Sequence, residues 1–238
     1  MKISLCIPLY NEEKILSDTM DSVSAYMKKR FAKDYEIIYV DDGSADRSLE
    51  ILNEKKDENT RVVSYSPNRG KGCAVRTGVL EAKGDIVIFT DCDLAYGCDI
   101  VGDFYEHMEN HPDLDALIGS RSKHPEGYEG YTFLRKLLSK GYLKFISIYG
   151  GLKLSDSQSG IKAFRRETAH KAFGLATVDR FAFDLEIILL TRRLGKKIGE
   201  YPVKIINHRP STIHFFRDSM RMVRDVRKIK KRVKKISV

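Results

Sequence analysis

The chain has 238 residues, 42% hydrophobic and 32% charged, with a formal net charge of +9, which suits one ordinary globular domain with a sizeable core. No apolar run approaches the ~18 residues of a membrane span, and the opening "KISLCIPLY" is broken by Pro8 too soon for a signal peptide, so a soluble or peripheral protein is expected. Cys6, Cys73, Cys92 and Cys98 show no CxxC spacing and read as reduced thiols of a cytosolic protein, not as a zinc site or a disulfide frame.

In chain order, "KISLCIPLY" reads as a strand. "NEEKILSDTMDSVSAYMKKR" follows as a helix with Ile15, Leu16, Met20, Val23 and Met27 on one face and acids at its start. "YEIIYVDDGS" is a second strand, "ADRSLEILNEKK" a helix, "RVVSYSP" a strand and "GKGCAVRTGVLEAKG" a helix. "DIVIFTD" and "LDALIGS" are strands on either side of the helix "CDIVGDFYEHMENH". Near-continuous apolar strands alternating with helices predict an α/β fold with a mostly parallel sheet covered on both faces. After Ser120 the pattern loosens. A polar loop "RSKHPEGYEGY" leads into a helix "TFLRKLLSKGYLKFISIYG", a short strand-like "DSQSGIKAF", a helix "RFAFDLEIILLTRRLG" and a last strand "KIGEYPVKIINHR".

Open parallel sheets bind ligands outside the carboxyl ends of their strands. That rule gathers Tyr10, Asn11 and Glu12, then Asp41 and Asp42, then Asp91 and Asp93 into one crevice. Singly, Glu12 or Asp42 could be helix-cap or first-turn acids; together, the acids exceed what a stable fold needs. Asp91 and Asp93 share a face of an extended segment and repel each other unless a cation lies between them. Lys71, in the Gly-flanked "GKG" at a helix start, can reach a phosphate or a base. The spacing around it fits neither a P-loop nor a dinucleotide fingerprint.

These residues bring the chain close to a known pattern. "IPLYNEE", "VDDGSAD", "NRGKGCAVRTG", "TDCDL", "GSR", "RKLLSKG", "DSQSGIKAF" and "RFAFDLEIIL" occur in one order, and with them the chain resembles family 2 of the inverting glycosyltransferases. Within that family it looks like the polyprenyl-phosphate sugar transferases that make dolichyl-phosphate mannose and glucose. Residues 211–238 read on their own spacing as a basic amphipathic helix; the resemblance implies a GT-A fold over 1–210. It implies a UDP- or GDP-hexose donor whose base is met by Asp42 and walled by Pro8, Tyr10, Asn11 and Glu12, with Lys71 and Asp91 at the diphosphate. Mg²⁺ or Mn²⁺ is expected on Asp91 and Asp93, because hard oxygen ligands suit those ions; relatives often carry a further ligand where this chain has Ala95. Arg121, Arg135, Ser139, Lys140, Arg209 and Ser211 match positions near the acceptor phosphate. Asp93, Asp156 and Asp184 are the catalytic candidates. Asp184 and Glu186 could equally cap or solvate a helix face.

The expected reaction is transfer of a hexose to a polyprenyl phosphate with inversion, glucose being favoured over mannose by "DSQSG" and "FAFDLE". The alternative is the same fold serving a glycan or other hydroxyl acceptor, in which Asp156 or Asp184 becomes an obligatory base; a silent nucleotide-binding module is a third reading. From Arg217 to Val238 there are ten Lys or Arg and two Asp, so this stretch carries most of the net charge. Its apolar residues Phe216, Met220, Val223, Val226, Ile229, Val233 and Ile236 recur every three or four positions, the pattern of a helix lying on an anionic membrane surface. Packing on the domain is the competing reading. Nucleic acid is not expected as a partner, since no aromatics interleave with the charges after Phe216. Together these place the protein in the cytoplasm, peripheral on the inner face of a membrane.

Overall fold

The structure, a computed structural model, describes residues 1–129, 154–207 and 226–236. The first half follows the predicted alternation: β1 (Ile3–Leu9), α1 (Glu13–Phe31), β2 (Tyr35–Asp41), α2 (Ser48–Lys55), β3 (Thr60–Ser64), α3 (Lys71–Glu81), β4 (Ile86–Phe89), α4 (Asp99–Asn110) and β5 (Ala116–Ser120). Then come β6 (Lys162–Arg165), α5 (Arg166–Gly174), α6 (Phe183–Arg193), β7 (Ile198–Pro202) and a helix α7 over 226–234.

Seven strands form one sheet in the order β3-β2-β1-β4-β6-β5-β7. β1 pairs in parallel with β2 and with β4, and β5 in parallel with β7, whereas β6 runs antiparallel between β4 and β5. Every residue of β1, β2 and β4 is buried, so alternate side chains feed two different cores. Ile3, Leu5, Ile7, Ile37, Tyr39, Ile86 and Ile88 meet Leu16, Met20, Val23 and Phe104 on the side of α1 and α4. Cys6, Ile38, Val40, Val87 and Phe89 meet Val75, Val79, Phe173 and Ile187 on the side of α3, α5 and α6. The result is a three-layer α/β/α fold. All four cysteines are free, and three of them are buried.

Two elements depart from the expectation. α5 was not anticipated; its buried face is Thr168, Ala169, Ala172 and Phe173, too small and polar a stripe to stand out by period. The apolar stripe of the tail does not face outward over 226–236: Val226, Ile229 and Val233 are buried on the α6 side of the domain. Each such burial stabilises by about 1.5–3 kcal/mol, as much as membrane insertion would offer, so this part of the stripe gains nothing by leaving the protein. Arg227, Lys228, Lys231, Lys234 and Lys235 remain exposed on the outer face.

Candidate active site

β1 continues to β2 and β3 on one side, and the chain then crosses to β4 on the other, so the strand order switches between β1 and β4, at whose carboxyl ends open α/β sheets bind ligands. The loops at this edge are laced together. Asn11 sits in the left-handed region at φ 55°, which Asn tolerates. Its side-chain oxygen accepts from Ala45 N at 2.8 Å, and its own N–H donates to Ser44 Oγ at 2.9 Å. Glu12 N donates to Ser48 Oγ at 2.9 Å. Asp41 turns inward, accepting from Ser44 N at 3.1 Å and Ser64 Oγ at 2.9 Å. Pro8 is buried beneath this rim, while Tyr10 stands out of it at 47% exposure.

Asp42 is buried and organises the loop above it: Oδ2 accepts from Asn68 Nδ2 and Gly70 N, both at 2.8 Å, and Oδ1 from Arg69 N at 2.9 Å. A carboxylate has about four acceptor positions, three of them taken by these donors, and the Tyr65 hydroxyl also lies against this carboxylate. The glycines flanking Lys71 serve a different end from the one expected. A Cβ at Gly70 would lie 2.6 Å from the Asp179 carbonyl, and one at Gly72 would lie 2.5 Å from the Val178 carbonyl. The close approach is therefore made by the chain's own 178–180 segment. That segment is pinned by Cys73 N donating to Asp179 O at 3.1 Å and by Arg76 Nη2 on Asp179 Oδ1 at 2.5 Å.

Asp91 and Asp93 follow β4 in a tight turn. Leu94 adopts φ 47°, a conformation that costs a bulky residue about 1–3 kcal/mol and persists because bonds hold the turn. Leu94 O accepts from Gly97 N and from Asn207 Nδ2, both at 2.8 Å, and Ala95 O accepts from Ile206 N at 2.8 Å and Asn207 N at 3.2 Å. Asp93 Oδ1 accepts from Ala95 N at 3.1 Å. The side chain of Asp91 is 29% exposed and ion-paired to Lys71 Nζ. Burial acts to lower the Lys71 pKa, but the carboxylates of Asp91, Asp184 and Asp93 hold the ammonium above its ordinary value.

Behind Lys71 lies a group that sequence reasoning missed. Lys162 is wholly buried, donating to Asp184 Oδ1 at 2.5 Å and Ser159 O at 2.7 Å, with its ammonium 5.4 Å from the centre of the Phe89 ring. The signal was a lysine inside the apolar "GIKAF": a buried ammonium requires a partner. Burial raises the Asp184 carboxyl above its ordinary value, with Lys162 and Lys71 pulling the other way. Glu186 was likewise missed as a structural anchor. It is fully buried and accepts from Thr177 N and Val178 N at 2.9 and 2.8 Å. Neither Asp184 nor Glu186 is a solvated helix acid.

On the other side of β5, Asp156 is fully buried against Arg121. Oδ2 accepts from Arg121 Nε at 2.6 Å and Arg121 N at 3.2 Å; Oδ1 accepts from Arg121 Nη2 at 2.9 Å and Gln158 N at 3.1 Å. Burial alone would raise its pKa, but the Arg121 guanidinium and these donors keep it below the usual carboxylate value. A carboxylate so held is a poor base, and this face of the Arg121 fork is committed to Asp156 rather than to an incoming phosphate. Arg135, Ser139, Lys140, Arg209 and Ser211 lie outside the described residues.

Among the described residues, no three His, Cys, Asp or Glu side chains converge as a metal cluster. Asp91 and Asp93 still fit a divalent ion. They are hard oxygen donors, and Asp91 Oδ2 packs on a residue without a side chain: a Cβ at Gly160 would stand 2.1 Å from it. Two carboxylates completed by phosphate oxygens and water is the way Mg²⁺ is commonly bound.

The family model "Glycosyl transferase family 2" matches residues 4–173. A dolichyl-phosphate beta-glucosyltransferase of Trichomonas vaginalis is 36% identical over 214 residues, covering 85% of this chain and 65% of that protein. The Saccharomyces cerevisiae dolichyl-phosphate beta-glucosyltransferase is 31% identical over 94% of this chain and 72% of its own length. The chain thus spans about two thirds of the length of these relatives. A crystal structure of glucosyl-3-phosphoglycerate synthase from Mycobacterium tuberculosis, in complex with Mn²⁺, UDP and phosphoglyceric acid, superposes with a TM-score of 0.73 at 20% identity, covering 100% of this chain and 80% of that one. The fold is that of the GT-A glycosyltransferases, and the chain belongs to glycosyl transferase family 2.

Proposed function

We propose that this glycosyltransferase moves glucose from a nucleotide sugar, UDP-glucose, to a dolichyl-type polyprenyl phosphate with inversion at the anomeric carbon. The observation that carries the reading is the row of alternating charge at the carboxyl end of β4. Asp91 pairs with Lys71, Lys71 feels Asp184, and Asp184 pairs with Lys162. Its outer end is built to exchange partners with a diphosphate. The names of the relatives support glucose and dolichyl phosphate, and the UDP complex of a structural neighbour supports the nucleotide.

In this reading Pro8, Tyr10, Asn11 and Glu12 wall the nucleoside, and Asp42 meets the base N–H. Lys71 turns from Asp91 to the diphosphate, while Asp184, held by Lys162, keeps the ammonium oriented. Asp91 and Asp93 would hold Mg²⁺ or Mn²⁺, which supplies Lewis-acid stabilisation of the leaving diphosphate. The acceptor phosphate oxygen attacks the anomeric carbon in line as the bond to the diphosphate breaks. A phosphate monoester has its second pKa near ~6, so the nucleophile is already an anion and needs no base. That agrees with Asp156, whose place is to fix Arg121 and the 155–158 turn. Arg135, Ser139, Lys140, Arg209 and Ser211 are assigned to the acceptor phosphate, where a fork of donors suits paired oxygens.

No helix among the described residues is long and apolar enough to cross a membrane. The five exposed basic residues over 226–236, at about 1 kcal/mol each near an anionic surface, support peripheral, salt-sensitive attachment to the cytoplasmic leaflet without insertion of this part of the stripe. The test of the reaction is a panel of radiolabelled UDP- and GDP-sugars offered with polyprenyl phosphate and Mg²⁺, Mn²⁺ or chelator. Metal-dependent label from UDP-glucose in a lipid product is expected. Binding of UDP-glucose with no lipid labelled would overturn the acceptor assignment.

A further inference from the structure

We infer that the basic tail helix α7 is a working part of the donor site, with Arg232 as a positioning residue for Lys71. This rests on the donor reading above, in which Lys71 meets the diphosphate.

The argument follows bonds from the tail inward. Arg232 Nη1 donates to Leu175 O at 3.0 Å, and Nη2 pairs with Glu186 Oε1 at 2.5 Å. Glu186, its side chain fully buried, also accepts from Thr177 Oγ1 at 3.1 Å and from the N–H groups of Thr177 and Val178. One carboxylate therefore gathers the whole turn after α5, and the arginine that neutralises it comes from 46 residues further along the chain. The next residues, Val178 and Asp179, lie against Gly70 and Gly72, too close for any side chain there. Asp179 O caps α3 by accepting from Cys73 N, and its side chain holds Arg76. Lys71 stands between those two glycines, on the first turn of the capped helix. The direction of its side chain is thus set by a segment whose charge balance depends on Arg232.

A buried carboxylate that loses the cation paired with it must draw in water or shift, and the segment tied to it shifts with it. Membrane attachment and donor binding are then carried by opposite faces of one helix: the exposed lysines outward, Arg232 inward. Removing the tail should disable the site itself, not merely detach the protein from a surface.

The test compares the full chain with Arg232→Met and Arg232→Lys in three measurements: UDP affinity by calorimetry with Mn²⁺ present, KM against kcat for UDP-glucose, and amide exchange at Thr177, Val178 and Cys73. R232M is expected to weaken UDP binding by about 10-fold, the scale of one lost charge-assisted bond. Exchange at the three amides should accelerate, KM should rise more than kcat falls, and R232K should restore part of each. Should R232M fail to fold, Asp179→Asn, which loosens the same segment from its other end without touching α7, is expected to show the same signature. UDP affinity within about twofold of the unaltered chain, with Thr177 and Val178 exchanging faster, would overturn the inference and leave the donor reading standing. An unaltered chain that does not bind UDP would overturn both.

Discussion

Asp156→Asn separates a structural carboxylate from a catalytic base. The wild-type side chain takes four hydrogen bonds, three of them from Arg121, and is fully buried, while Arg121 is 14% exposed. Asparagine keeps the shape but sets an amide NH₂ against the guanidinium and removes the negative charge that faces it. Breaking a buried pair from one side costs about 3–5 kcal/mol, and the partial exposure of Arg121 favours the lower end. For a chain of this length each kcal/mol lowers Tm by roughly 2–4 °C, so D156N should melt roughly 6–12 °C below wild type at pH 7. The folded-state pKa of Asp156 lies below its unfolded value of about 3.9. Its contribution is therefore fully present above that value and is lost as pH falls through the folded pKa. The difference in Tm should hold constant from pH 8 to 5 and close below about pH 4. Calorimetry across that range, with a pH–rate profile on both proteins, decides the matter. A D156N protein that melts within about 2 °C of wild type, but has lost an ionisation from its kcat profile, would refute the reasoning and make Asp156 a base.

Lys162→Met should lower the urea-unfolding free energy by about 3–5 kcal/mol, because Asp184 loses the buried ion pair that Lys162 makes with it; Lys162→Met combined with Asp184→Leu should recover much of that stability while lowering activity. Gly160→Ala places a methyl where Asp91 Oδ2 now sits, so Mn²⁺ binding in the presence of UDP, read by electron paramagnetic resonance, should weaken by about 10-fold on the scale of one displaced ligand, with the melting temperature little changed. Binding to phosphatidylserine vesicles should fall steeply between 0.1 and 0.5 M salt (about the range over which a surface charge is screened); binding that persists there would mean that apolar insertion, not the lysine face, holds the protein on the membrane.

The core was legible wherever one physical constraint acted alone. β1, β2 and β4 are buried on both faces, so their unbroken apolar runs could be nothing else, and the acids at their carboxyl ends marked the edge of the sheet where the candidate site lies. What stayed hidden was set by pairing across the chain. The antiparallel insertion of β6 leaves no trace in "GIKAF" itself, because a strand's composition does not encode the direction of its neighbours. Charge behaves in the same way: a lysine in an apolar run announces that a partner exists, but not that the partner is Asp184, 22 residues on. Asp42, Asp91, Asp156 and Glu186 look alike as letters, and the donors around each divide them by task. Those that collect three or four hydrogen bonds from their own fold, as Asp42, Asp156 and Glu186 do, have their lone pairs largely committed and shape the site. Asp91, which faces a partly exposed ammonium on one side and a bare glycine on the other, keeps its oxygens exchangeable, and exchangeable oxygens are what a diphosphate and its cation require.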